Sequence, residues 1–284
     1  VEHIDAAYAY RLQRDGESET DFARRLADQL EARIVELGPE TVAAFVAEPV
    51  VGASLGSQPA PEGYFKHVRE ICDRHGVLLI ADEVMCGMGR TGSLFALEQE
   101  GICADITTMA KGLGAGYQPI AAVMARQSVI EAIMAGSGNL WNGHTYMSHA
   151  VATAGALAVL QEVESHDLLS AVRIRGQQLE TALRDRFGEH PHVGDIRGRG
   201  LFWSIELVAE RDSKTPFDVS RNLAGKIQRA AMEAGMICYP SQGCADGTAG
   251  DHVLLAPAFT SPPEEIEMTV EMLGAAVDGV IAEG

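Results

Sequence analysis

The sequence predicts an α/β protein with a mainly parallel central sheet, followed by a smaller α+β region. Three observations predict it. Short apolar runs that suit buried strands, AAFVAEP (43–49), VLLIAD (77–82) and DITTMA (105–110), alternate with amphipathic stretches. The stretch between the first two has helix length and clear start and stop signals, so the pair reads as a βαβ unit with parallel strands. Beyond residue 162 the pattern changes to polar helices and scattered strands. The expected division is therefore a large α/β domain over 1–162 and a small α+β domain over 163–284.

The elements follow in order. Phe22, Leu26, Leu30, Ile34 and Leu37 recur at helical spacing and predict a helix over 20–37. AAFVAEP stops at Glu48-Pro49, because proline cannot donate to a ladder. A loop of Gly, Ser, Gln and Pro leads to a helix over 61–76, with Pro61 as start, Gly76 as stop, and Phe65, Val68 and Cys72 on one face. After VLLIAD and a glycine-rich loop, SLFALEQEG reads as a short helix. DITTMA ends at Lys111, and PIAAVMA (119–125) reads as a strand that pairs back on it. A helix is expected from His149 through Glu164, and a polar one over 166–188. IRGRGLFWSIELV (196–208) reads as a turn and a strand, 219–235 as a helix, HVLLAPAF (252–259) as a strand, and 263–282 as a closing helix.

The formal net charge of −18 argues against nucleic acid or an anionic membrane surface as a partner. The five cysteines, 72, 86, 103, 238 and 244, form no CxxC pair and no zinc spacing. They read as reduced, buried thiols of a cytoplasmic protein. The chain starts at Val1, with no signal segment, and is expected to be part of a longer one.

Glu48, Asp82 and Lys111 end three successive predicted strands. Ligand crevices of open parallel sheets lie beyond the carboxyl ends of the strands, so the three are expected to converge. Each has a bland alternative: Asp82 as the cap of a turn, Glu83 beside it as a solvated or loop-bound charge, Lys111 as a wet surface group. Lysine occurs only at 66, 111, 214 and 226, and Lys111 stands among small residues and the glycines 112, 114 and 116. A lysine desolvated there becomes a nucleophilic amine suited to Schiff-base chemistry. It precedes its glycines, unlike a Walker lysine, and GRGLFW (198–203) lacks the third glycine of a dinucleotide fingerprint. A nucleophilic lysine and a strand-end aspartate together suit pyridoxal phosphate, which needs an amine for its aldehyde and an anion for its ring nitrogen.

Four segments carry a resemblance, in order along nearly the whole chain: ADEVMCGMGRTG (81–92), AKGLGAGYQPI (110–120), GHTYMSHAVATAGALAV (143–159) and IRGRGLFWSIEL (196–207). They resemble class III aminotransferases, which are fold-type I pyridoxal-phosphate enzymes. The resemblance implies that Lys111 bonds the cofactor aldehyde and then moves the substrate proton, and that Asp82 pairs with the pyridine nitrogen. It further implies that Val84 presses on the ring and that Glu48 lies on the substrate side. Thr145 would bind the phosphate from the other subunit of a homodimer. Core packing for Val84 and helix capping for Thr145 are the bland readings. Met85, Met88 and Trp141 read as core or pocket wall, and His144 and His149 as structural.

Two departures from the family pattern stand out. The N-terminal portion with its phosphate loop and stacking aromatic is not recognisable upstream of residue 43, and Met85 stands where a glutamine is frequent. The implied activity is ping-pong transfer of an amino group to a keto acid. The rivals are an aminomutase or decarboxylating relative, and a non-catalytic fragment or homologue. No lysine or arginine follows Arg229, so no permanent cation from that region can grip an α-carboxylate. The donor is therefore expected to be an amine or ω-amino acid, with Arg90, Arg197 or an N-terminal portion left open as other sources of such a cation.

Overall fold

Residues 1–283 are described by a computed structural model. A short helix α1 (Ala9–Leu12) precedes α2 (Glu19–Leu37), whose first turn is capped by Ser18. Phe22, Leu26, Leu30 and Ile34 are buried as their spacing requires, while Leu37 at the end is exposed. Strand β1 (Ala44–Ala47) comes next, then a narrow antiparallel ribbon, β2 (Val50–Val51) with β3 (Gln58–Pro59). Helix α3 (Tyr64–His75) starts three residues after Pro61 and stops at Gly76, whose φ of 68° suits glycine. Its Phe65, Val68 and Cys72 pack on α2, β1 and β4 (Leu78–Asp82) in one apolar cluster.

β5 (Ile106–Met109) and β6 (Ala122–Ala125) complete a sheet of order β1-β4-β5-β6. The first three strands are parallel and β6 runs back against β5, as the sequence led one to expect. Between β4 and β5, residues 96–100 form a 3₁₀ turn. Helix α4 (Gln127–Ala135) has no buried residue and was not foreseen. The chain from 137 to 149 is exposed throughout, Trp141 included, so that tryptophan is not part of the core.

Helices α5 (Ala150–Ser165) and α6 (Leu168–Phe187) lead to a second sheet. IRGR is not a turn but part of strand β7 (Val193–Arg199), which makes a tight hairpin with β8 (Phe202–Leu207). Helix α7 (Leu223–Glu233), β9 (Tyr239–Gln242) and β10 (Asp251–Leu255) follow, and α8 (Pro263–Ala282) closes the chain. The sheet order is β7-β8-β10-β9, all antiparallel. Leu179, Leu183, Ile205, Leu207, Leu273 and Val277 belong to the core beneath it, a cluster separate from that of the first sheet. No described helix is long and apolar enough to cross a membrane.

Candidate active site

Because β1, β4 and β5 are parallel, their carboxyl ends share one edge of the sheet. Glu48 follows β1 directly, Asp82 is the last residue of β4, and Lys111 stands two residues beyond β5. Register aligns Ala47 with Ala81, and Asp82 with Thr108. The sheet therefore brings these three together.

Their electrostatics agree. Burial lifts the Glu48 carboxyl above its usual range; the Gly52 N–H opposes this, the Asp82 charge adds to it, and the Lys111 cation lowers it. Glu48 Oε2 accepts the Gly52 N–H at 2.9 Å. A Cβ at Gly52 would run into the Met85 side chain, so any larger residue there requires Met85 to move. Met85 thus acts as a wall for the Glu48 loop. A cleft of about 480 Å³ between residues 1–7 and β1 also reaches Glu48.

Asp82 Oδ1 accepts the Val84 N–H at 3.0 Å, so Asp82 does cap its turn. Among the described residues its second oxygen has no partner and no cation pairs with it. Capping therefore leaves one oxygen for a ligand. Val84 is half-buried in the same turn. The neighbouring Glu83 is not solvated: it is 1% exposed and accepts the Ala96 and Leu97 N–H groups at 2.6 and 3.0 Å. Those are free donors at the start of the 3₁₀ turn, which makes Glu83 structural.

Lys111 departs from the expected desolvation. Its side chain is exposed. Its backbone is unusual instead. Lys111 has φ 38° and buried Met88 has φ 55°, both in the left-handed region that side chains disfavour. Such strain of roughly 1–3 kcal/mol per residue persists only where packing enforces it, and it gathers at functional sites. Met88 belongs to the apolar cluster of Met109, Leu113 and Ala156, which holds the Lys111 turn from behind.

Thr145 is not brought to this edge. It lies in the exposed 137–149 segment. Nor does it cap α5: His149 is the N-cap, and its ring nitrogen accepts the Ala152 N–H at 3.4 Å. Among the cysteines, 72, 86 and 244 are buried and Cys103 is exposed, against expectation. Burial pushes the Cys72 thiol up to about 11 and Cys244 to about 12, so neither is a ready nucleophile.

Sequence reasoning left two arginines open, and the structure separates them. Arg197 is tied to Glu206 at 2.6 Å and Asp195 at 2.9 Å. Arg90 faces no carboxylate among the described residues. It donates to the Leu201 and Pro257 carbonyls at 2.9 and 2.7 Å and lies over the Phe259 ring. Burial lowers it to about 10.

A strained lysine, a strand-end carboxylate with one oxygen free and a second, half-buried carboxylate therefore share one edge of the sheet. Such residues can hold an aldehyde carbon and a protonated ring nitrogen. Comparison with known proteins gives the family. The class-III aminotransferase profile matches residues 2–277, and the chain belongs to that family. An aminotransferase of Gibberella zeae is 46% identical over 98% of the chain, which covers 54% of that protein. The diaminobutyrate–2-oxoglutarate transaminase of Halomonas elongata is 35% identical over 99% of the chain and 59% of its own length. The crystal structure of an (S)-enantioselective omega-transaminase from Thermomicrobium roseum superposes with TM-score 0.91 and 35% identity, over 99% of the chain and 60% of that one. The chain thus spans little more than half the length of these relatives.

Proposed function

We propose that the intact protein is a pyridoxal-phosphate-dependent aminotransferase that moves an amino group from an amine or ω-amino acid to a keto acid in a ping-pong cycle. The observation that carries this is the meeting of Lys111, Asp82 and Glu48 at one sheet edge, with Lys111 in a strained turn. The bound cofactor supplies an electron sink and a temporary carrier for the nitrogen. Lys111 Nζ would hold the cofactor by its aldehyde carbon and, once released from it by the incoming amine, would take up the proton lost from the substrate carbon. The free oxygen of Asp82 would hold the proton on the pyridine nitrogen. Val84 would support one face of the ring, and Glu48 would border the substrate.

Thr145 would hold the cofactor phosphate of a second copy. Exposed Tyr117, Val123, Met124, Trp141, Tyr146 and Met147 support such a homodimer, since so much apolar surface is rarely left in water. Residues 1–162 and 163–284 act as large and small domains. The reduced cysteines fit a cytoplasmic setting.

The substrate class is supported by the fate of the arginines. Arg197 is saturated by carboxylates and carbonyls, and no cation follows Arg229. Of the two arginines left open, Arg90 alone is free of carboxylate partners among the described residues. Faster turnover with simple α-amino acids than with terminal amines in a donor panel would reverse this part. Borohydride reduction with pyridoxal 5′-phosphate, followed by peptide mapping, tests the core of the reading. The label is expected on Lys111, and a label on Lys66, Lys214 or Lys226 would refute it. Product analysis separates transfer from mutase or decarboxylase chemistry.

A further inference from the structure

We propose that Arg197, on the small antiparallel sheet, is the positioning residue that sets Glu48 at the edge of the large one. The inference rests on the reading of Glu48 as a site residue.

Arg197 is 6% exposed and Glu206 is fully buried. A buried ion pair must satisfy all its polar atoms or it destabilises the fold. Glu206 does not depend on Arg197 alone, because Arg11 Nε donates to it at 2.7 Å and the Tyr8 hydroxyl also donates to it. Arg197 in turn directs only Nη1 to its carboxylates, Glu206 and Asp195. Its other two nitrogens go to backbone far upstream. Nε donates to the Gly56 carbonyl at 2.8 Å and to the Leu55 carbonyl at 3.2 Å, and Nη2 also donates to Leu55. Such a planar fork holds several acceptors in fixed directions.

The grip is relayed. The Gly56 and Ser57 N–H groups both donate to the Gly52 carbonyl, at 2.8 and 3.3 Å. The Gly52 N–H donates to Glu48. Three links thus run from the guanidinium to the Glu48 carboxylate. There is little slack in them. A Cβ at Gly56 would fall within 3.1 Å of three His252 ring atoms, so that loop lies flat on the small sheet. Ser204 Oγ donates to Ser57 Oγ at 3.0 Å on the same side. On the far side Gly52 abuts Met85. The loop therefore has one seat, and Arg197 defines it.

Arg197→Lys in the intact protein is the test, because lysine keeps a cation beside Glu206 and loses the fork. Backbone amides of residues 50–58 should exchange with deuterium at least about tenfold faster, while those of 78–84 and 105–110 keep their protection. The kcat losses of Arg197→Lys and Glu48→Gln should not add, with the double variant no worse than the poorer single one. Unchanged exchange in 50–58, or additive losses, would overturn the link. Should Arg197→Lys not fold, the paired change Arg197→Gln with Glu206→Gln removes both charges together and is read in the same way. Wild-type kcat and KM for Glu48→Gln would remove the site reading beneath the proposal, whereas unchanged exchange would remove the Arg197 link itself.

Discussion

The Lys111 edge and the Arg197–Glu206 centre handle charge in opposite ways. At the first, Lys111 is exposed and unpaired among the described residues, and Asp82 has an oxygen to spare. At the second, Glu206 accepts from Arg197, Arg11 and Tyr8, and Arg197 donates to four groups. Burial works against the Glu206 charge, but the Arg197 guanidinium and the other donors outweigh it and hold the carboxyl below its usual range. The contrast teaches that charge satisfied within the chain builds the frame, and charge left unsatisfied is what remains for chemistry.

The largest effect expected from this contrast is at Lys111. Lys111→Ala should cut turnover by at least ~10⁴-fold, since it removes both the covalent anchor and the proton carrier. Because the side chain is exposed, unfolding should shift by no more than about 0.5 kcal/mol. A large stability loss would blur the contrast.

The frame should show itself through pH. His252 lies fully buried beside Arg197. Burial first, then the Arg197 charge, lower it to about 4 from an ordinary 6.5. The unfolded chain binds this proton at the higher value, so between these limits it holds more protons than the folded one. Stability should therefore fall as pH drops from about 6.5 to about 4, by ~3 kcal/mol from this group. In His252→Phe the urea midpoint should lose much of that dependence. An unchanged slope would show that His252 is not the titrating group.

Asp82→Asn is expected to act more modestly, lowering kcat by roughly 10–100-fold through loss of a charged hydrogen bond of about 1.5–3 kcal/mol. KM should move less, because the interaction strengthens chiefly in the transition state. Near-normal turnover would leave Asp82 as a cap alone. Smallest of all, Thr145→Ala should leave unfolding within about 0.5 kcal/mol of wild type and weaken cofactor retention. Mixed with Lys111→Ala subunits it should restore activity, because both lesions then fall in one site of each heterodimer. No recovery despite proven subunit exchange would end the shared-site reading.

Much of the large sheet was legible. Runs such as VLLIAD and ITTM are apolar enough to be strands wherever they sit, and the βαβ spacing dictates their direction. Helix α4 was missed because it is only 9 residues long, although Val129, Ile130, Ile133 and Met134 recur in it at helical spacing. Strand β9 was missed because Pro240 argues against a strand; it survives there as an edge strand paired only with β10. The exposure of Lys111 was misjudged, since small neighbours signal a tight turn as readily as a buried one.

By itself the sequence determined what is local: which segments form strands, where they stop, and that Glu48, Asp82 and Lys111 stand at strand ends on one edge. Hydrogen-bonding needs and side-chain spacing act over a few residues, so they can be read from a string. Only the tertiary structure decided which charges are satisfied. Arg197 meets the Gly56 carbonyl across 141 residues of chain, and Tyr8 meets Glu206 across 198. Whether a polar group is buried, and with what, depends on such distant encounters, and no local pattern encodes them.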